Sequence, residues 1–173
     1  MKFVSREKVC TKRLTLRKIE ESDFDNLIDI FLSEEVAKTF MLPDFKSRDD
    51  ALKLAERFRD LSQDRNRFVY GVYLDNRLIG FVNDVFIGEN VVELGYVISP
   101  KHKNKGYATE ALKGSINLIF ESGFQFVKCE AFEENLASQR VMQKCGMVLT
   151  DESEQIEYRG KTHNCKYYQI TRV

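Results

Sequence analysis

The stretch from Phe68 to Pro100 constrains the fold most. Phe68–Leu74, the turn Asp75-Asn76 and Leu78–Phe86 read as a hairpin, and Val91–Ile98 reads as a third consecutive strand. These runs are rich in β-branched and aromatic residues, and Pro100 closes the last of them. A basic, glycine-containing segment, Lys101-His102-Lys103-Asn104-Lys105-Gly106, then leads straight into a long helical pattern. Ala108, Ala111, Leu112, Ser115, Ile116 and Ile119 form one small-to-apolar stripe along it, and Gly123 is a natural stop. Three strands feeding a helix predict helices packed on a largely antiparallel sheet.

The flanking patterns extend that reading. Arg13-Leu14-Thr15-Leu16-Arg17 alternates as a strand does. Ser22 reads as a helix N-cap with Asp23 and Asp25 in the first turn, followed by Phe24, Leu27, Ile28, Phe31 and Leu32 at helical spacing. Ser47 opens a second helix with Ala51, Leu54, Ala55, Phe58 and Leu61 on one face. Val127–Phe132 is a further strand, Ser138–Lys144 a short helix ending at Gly146, and two strands surround Arg159-Gly160. The predicted order is β-α-α-β-β-β-α-β-α-β-β. This is an α/β (α+β) fold, a mixed, largely antiparallel sheet of about seven strands flanked by about four helices. With two prolines and no low-complexity stretch in 173 residues, residues 1–173 read as one domain without linker or repeat.

Charge narrows the function classes. The 27 Lys and Arg residues balance the 27 Asp and Glu residues, which argues against a surface built as a whole for nucleic acid or anionic lipid. No apolar run approaches the roughly 20 residues needed to span a bilayer, and the charged stretch Met1–Leu14 lacks the core of a signal peptide. Cys10, Cys129, Cys145 and Cys165 are isolated, and with only His102 and His163 beside them no metal site is expected. Reduced thiols in a cytoplasmic protein are the simplest account.

The local charge is more informative than the total. Lys101, Lys103 and Lys105 crowd the start of the long helix with no acid among them. A helix N-terminus offers unpaired N–H groups and partial positive charge, while Gly106 and Ala108 remove bulk where a ligand would approach the backbone. An anion, above all a pyrophosphate, suits such a place. Charge alone reads equally well as a solvated lysine-rich loop. Neither G-x-x-x-x-G-K-[ST] nor G-x-G-x-x-G is present.

About thirty residues on comes Asn135-Leu-Ala-Ser138, followed by Met142, Lys144 and Gly146-Met. Taken with the Arg13–Arg17 strand, the strand Glu93-Leu-Gly-Tyr-Val-Ile-Ser-Pro100 and the helix start Lys105-Gly-Tyr-Ala-Thr-Glu-Ala-Leu112, the chain resembles the GNAT superfamily of N-acetyltransferases. The likeness is to the branch containing the Rim-type ribosomal-protein N-terminal acetyltransferases, and it covers most of the chain. The resemblance implies that Lys103, Asn104, Lys105, Gly106, Tyr107 and Ala108, with Thr109 behind them, cradle the pyrophosphate of acetyl-CoA. It implies that Tyr96, Val97 and Ile98 splay from the neighbouring strand to meet the pantetheine arm, and that Asn135 and Ser138 contact the same arm. Lys103 stands where Gln or Arg is usual, keeping the charge without arginine's planar fork.

Acetyl transfer to an amine requires removal of a proton, polarisation of the thioester carbonyl and a proton for the departing thiolate. Glu93 is the candidate base, with an outward-facing strand carboxylate as the equal alternative. Backbone N–H near Val97–Ile98 is the candidate carbonyl donor. Many relatives carry a tyrosine four residues before the glycine here numbered Gly146, but this chain has Met142. That leaves Ser138 as the candidate acid, unless it only caps its helix. Cys145 and Cys129 read as packing and core, Phe120, Phe124 and Phe126 as core, and His163 as a solvated loop residue rather than an acceptor contact.

The expected partners are acetyl-CoA and an amine acceptor, either a protein N-terminus or a small amine such as a polyamine, with neither nucleic acid nor membrane. A homodimer is common among such enzymes, and a non-catalytic CoA-binding module is the competing reading. Asp151, Glu152, Glu154 and Glu157 either attract a cationic acceptor or form a solvated charged hairpin.

Overall fold

Asp75 and Asn76 both lie in the left-handed region, at φ 48° and 65°, in a two-residue turn between β3 (Val69–Leu74) and β4 (Arg77–Ile87). That geometry matches the twist of the flanking strands and pins the hairpin register. β5 (Val91–Ile98) then pairs antiparallel with β4. The computed structural model describes residues 3–4 and 6–173. Met1, Lys2 and Ser5, part of the N-terminal stretch read above, lie outside the described residues.

The remaining elements are β1 (Lys8–Cys10), β2 (Thr15–Arg17), α1 (Phe24–Phe31), α2 (Glu34–Ala37), α3 (Arg48–Gln63), α4 (Tyr107–Glu121), β6 (Phe126–Phe132), α5 (Leu136–Lys144), β7 (Val148–Tyr158) and β8 (Lys161–Thr171). The strands form one sheet in the order β1-β2-β3-β4-β5-β6-β8-β7, antiparallel except at β5–β6.

The α/β fold expected from the pattern is therefore present, with eight strands and five α-helices among the described residues. The additions are β1, a three-residue edge strand, and α2, a single turn capped by Ser33 Oγ accepting from Val36 N. Neither is long enough to display a period. Ser22 is not the cap it resembled. Glu20 caps a single 3₁₀ turn, its backbone N–H donating to Asp23 Oδ2 at 2.9 Å, and α1 follows from Phe24. Ser47 does cap α3, accepting from Asp50 N at 3.2 Å.

The sheet is covered on both faces, because alternate residues of a strand point to opposite sides. Leu16, Val72, Val82, Leu94, Val127 and Cys129 meet Ala111, Leu112, Ile116 and Ile119 of α4 and Met142 of α5. On the other face Val69, Tyr73, Phe81 and Val97 meet Leu27, Ile28 and Phe31 of α1 and Ala51 and Ala55 of α3. Each fully buried Leu or Ile contributes about 1.5–3 kcal/mol relative to leaving it in water. Leu32, read as part of the apolar face of α1, is instead exposed.

The parallel pairing of β5 with β6 ends at Leu94–Cys129. Beyond it β5 stays with β4 as far as Ile98–Gly80, while β6 stays with β8 as far as Phe132–Cys165. The sheet splits at this point. A register shift between Asp84 and Phe86 leaves Val85 as an extra residue in β4 opposite the split, a device that bends a strand. At the far end of β5 the strands lie unusually close, since a Cβ on Gly80 would stand 2.1 Å from the Val97 carbonyl oxygen.

Candidate active site

A cleft of about 540 Å³ occupies the split between β5 and β6. Tyr96, Val97, Ile98, Lys103, Asn104, Gly106, Tyr107, Ala108, Thr109, Asn135 and Ser138 all line it, so most of the predicted site residues are brought together. Its opposite wall was not read from sequence and consists of Glu35, Val36, Thr39 and Phe40, with Arg140 and Lys144 contributed by α5.

One end of the cleft is a run of free donors. Asn104 and Gly106 are both left-handed, at φ 61° and 80°, and α4 begins immediately after them. Among the described residues, the backbone N–H groups from Asn104 through Thr109 have no hydrogen-bond acceptor. Alternating left- and right-handed backbone before a helix forms a concave nest of N–H groups suited to an anion. The residues fit a pyrophosphate.

The loop's cations are arranged differently from the expectation. Lys103 lines the cleft, but its Nζ stands 2.7 Å from Glu35 Oε1. Lys101 lies 3.7 Å from Asp29 Oδ2. Lys105 does not line the cleft, and its carbonyl accepts from Arg13 Nη1 at 2.9 Å. The cationic side chains on the cleft wall are thus Lys103, Arg140 and Lys144 rather than the lysine triplet. His102 lines it too, its pKa lowered by burial and by Lys105, Arg77 and Lys101.

Midway along the cleft two hydroxyls meet. Tyr96 Oη lies 2.7 Å from Ser138 Oγ and 3.2 Å from the Ser138 carbonyl oxygen. Burial drives the phenol pKa far upward, so it stays protonated and acts as a donor at neutral pH. Ser138 is not the cap of α5. Asn135 is, its Oδ1 accepting from Ser138 N at 3.1 Å. The Ser138 hydroxyl is therefore available to the cleft. Met142, at the position where the resemblance implies a tyrosine, is fully buried in the core.

On the other face of the split lies an acidic group. Glu93 does not line the cleft, but Glu130 does, two residues beyond Lys128, the register partner of Glu93. Burial, with Glu130 as the next contributor and Lys128 opposing, pushes the Glu93 carboxyl up to about 7, and Glu152 and Glu154 add to it. A carboxylate poised there is suited to take a proton near neutral pH. Gly95 keeps this side open, since a Cβ there would come within 3.0 Å of the Phe40 ring. Tyr158 fixes the Phe40 wall, its hydroxyl accepting from Leu42 N at 3.2 Å and donating to the Phe40 carbonyl oxygen at 3.2 Å.

His163 is the clearest departure from the sequence reading. It is 7% exposed, stacks on Phe132 at 4.1 Å between centroids, and places Nδ1 2.6 Å from Glu134 Oε1. Cys129 and Cys145 are buried as expected, and burial pushes the Cys145 thiol up to about 11, which suits packing rather than nucleophilic attack. Among the described residues no His, Cys, Asp and Glu side chains group as a metal site, and no helix is long and apolar enough to cross a membrane.

Comparison with known proteins then places the chain. The acetyltransferase (GNAT) domain family matches residues 13–148. The chain belongs to the GNAT acetyltransferase family. Among curated relatives of this acetyltransferase, the uncharacterized N-acetyltransferase YnaD of Bacillus subtilis is 31% identical over 143 residues, 80% of this chain and 81% of that one. A GNAT-family acetyltransferase from Bacillus anthracis superposes with a TM-score of 0.82 at 26% identity, covering 95% and 98% of the two chains. RimL, described as a ribosomal L7/L12 alpha-N-protein acetyltransferase in complex with coenzyme A, superposes with a TM-score of 0.84, covering 95% and 98%. At 18% identity that likeness establishes a shared fold. The Rim-type resemblance is sound at that level, and the activity of the GNAT chain is N-acetyltransfer.

Proposed function

We propose that this acetyltransferase moves an acetyl group from acetyl-CoA to a primary amine by direct attack, with a protein N-terminus, such as that of a ribosomal protein, as acceptor. The observation that carries this reading is the split between β5 and β6, with unpartnered N–H groups at one end and an acidic pair at the other. Residues 1–173 act in it as one domain. Free thiols suit a cytoplasmic setting.

In this reading the N–H groups of Asn104–Thr109, with Lys103, hold the pyrophosphate, and Tyr96–Ile98 and Asn135 orient the pantetheine arm. The thioester supplies an activated acyl carbon. Glu93, ionised above about pH 7, takes the proton of the incoming ammonium, through water because it stands behind the cleft lining. Glu130 holds the cationic acceptor at the same end. N–H groups near Val97–Ile98 polarise the carbonyl. Ser138 Oγ–H protonates the thiolate while the neutral Tyr96 phenol, 2.7 Å from Ser138 Oγ, passes its proton on to the serine and is itself reprotonated from solvent.

The test is turnover, followed by release of free CoA thiol, with N-terminal peptides, polyamines and aminoglycosides offered in turn. Turnover of peptides and not of the small amines supports the reading, whereas preference for a polyamine transfers the site to the small-amine alternative. In Tyr96→Phe, which keeps the backbone and ring that face the pantetheine arm, kcat falls about tenfold with the acetyl-CoA Kd within about twofold, the pattern of a hydroxyl acting only in the chemical step. Binding of acetyl-CoA without turnover of any amine would instead identify a CoA-binding module.

A further inference from the structure

The nest of N–H groups has to be held in a conformation that non-glycine residues avoid. Asn104 is left-handed without being glycine, and Gly106 is left-handed two residues later. A six-donor run with no acceptor of its own gains nothing internally from this shape. Something outside the loop must fix it, and the β1–β2 turn is in place to do so.

Arg13 makes four contacts there. Its Nη1 donates to the Lys105 carbonyl oxygen at 2.9 Å, the peptide between the two left-handed residues. Its Nε donates to Glu110 Oε2 at 2.7 Å, and its backbone N–H to Glu110 Oε1 at 2.6 Å. Its guanidinium carbon lies 4.6 Å from the centroid of the Tyr107 ring. Its Nη2 is also the nearest atom to where a Cβ on Gly106 would stand, at 3.4 Å. Glu110, in the first turn of α4, accepts in addition from Thr11 Oγ1 at 2.6 Å. Although burial opposes its ionisation, the hydrogen bonds from Thr11 and Arg13 hold its carboxyl below the usual range. Arg13 is absent from the cleft lining, as is Lys105, whose carbonyl it holds.

We propose that Arg13, anchored by Glu110, is a positioning residue for cofactor recognition: it fixes the Lys105 carbonyl on the outer side of the loop and so presents the Asn104–Thr109 N–H groups to the pyrophosphate. The planar fork matters, because one guanidinium serves the carboxylate, the carbonyl and the ring together, which an ammonium cannot do. This inference rests on the phosphate-cradle reading of the loop, and its test separates the two.

The test compares binding of acetyl-CoA with binding of S-acetylpantetheine and of S-acetyl-4′-phosphopantetheine, which keep the thioester arm and lack the pyrophosphate together with the phosphorylated adenosine. Affinities are measured by calorimetry on the full chain for wild type, Arg13→Gln, Arg13→Lys and Glu110→Gln, beside a thermal melt of each. Wild type binds acetyl-CoA more tightly than either analogue. In Arg13→Gln and Glu110→Gln that preference shrinks about tenfold, the scale of one charge-assisted hydrogen bond, and Arg13→Lys recovers little of it. A merely structural role would lower both affinities alike or only the melting temperature, and that result overturns the proposal. If wild type itself shows no preference, the phosphate-cradle reading fails. If wild type prefers acetyl-CoA and Arg13→Gln keeps the full preference, the cradle stands and the role of Arg13 is refuted. Should Arg13→Gln fail to fold, Glu110→Gln decides by the same ratio.

Discussion

Replacing Gly80 by alanine tests whether the close approach of β4 to β5 sets the shape of the cleft. The added Cβ would stand 2.1 Å from the Val97 carbonyl oxygen, 2.9 Å from Ile98 Cδ1 and 3.1 Å from Ile98 Cα. The first contact is with backbone, so no rotamer change relieves it. Bringing it to 3.0 Å requires β4 and β5 to part by about 1 Å at Gly80–Ile98. Overpacking of this kind costs about 1–3 kcal/mol, and a weakened ladder hydrogen bond adds about 1 kcal/mol. A loss of about 3 kcal/mol in a chain of this size lowers Tm by about 6–12 °C. Val97 and Ile98 line the cleft, so the same displacement widens it, and acetyl-CoA affinity falls together with stability. Thermal unfolding by circular dichroism and calorimetric titration with acetyl-CoA check both. A Gly80→Ala protein melting within about 1 °C of wild type with unchanged affinity would refute the reasoning, since that spread lies below the smallest of these costs.

Two further outcomes follow from the charges. Glu93, with its carboxyl at about 7 against an ordinary 4.5, binds its proton more tightly folded than unfolded. Its contribution to stability is therefore greatest at acid pH and is lost as pH rises through about 7. Glu93→Gln flattens the fall in Tm across that window. It also removes the limb of the kcat/KM profile that rises towards pH 7, and a variant retaining that limb excludes Glu93 as base. Glu35 competes for Lys103, so Glu35→Gln tightens acetyl-CoA binding about two- to fivefold at low ionic strength, the range of an exposed ion pair. Titrations at low and high salt check this, because the gain should vanish when salt screens the pair.

What was legible in the sequence depended on element length and on how far apart the interacting residues lie. β3 to β5 and α4 carry enough alternation or helical spacing to be read, and the two turns containing Asp75-Asn76 and Arg159-Gly160 were marked by their residue types. β1 and α2 were missed because three or four residues cannot establish a period. One helix cap was misread where two candidates stood close together, Glu20 and not Ser22 being the cap, whereas for Ser138 the capping alternative fell away because Asn135 caps α5. Nearly half of the cleft lining was legible through motif resemblance, since those residues sit in two short segments. The groups facing them were not. Glu35 reaches Lys103 across 68 positions, Tyr96 reaches Ser138 across 42, and Arg13 reaches Glu110 across 97, and no local pattern announces such meetings. His163 was taken for solvated because its sequence neighbours are polar, but alternation along β8 turns it inward against Phe132.

The hydrogen bonds of Tyr158 give the cleft an order of assembly. Everything that shapes the phosphate loop, from Thr11 and Arg13 to Glu110, is present once the first 110 residues have been synthesised. The Phe40 wall is tethered instead by a phenol 116 positions beyond Leu42, in the last hairpin of the chain. On a nascent chain that tether can form only after Tyr158 has been synthesised. The cofactor end of the cleft can therefore mature while the acceptor end is still open, and a nascent or C-terminally clipped chain would retain its anion nest while lacking a firm wall against which to hold an amine.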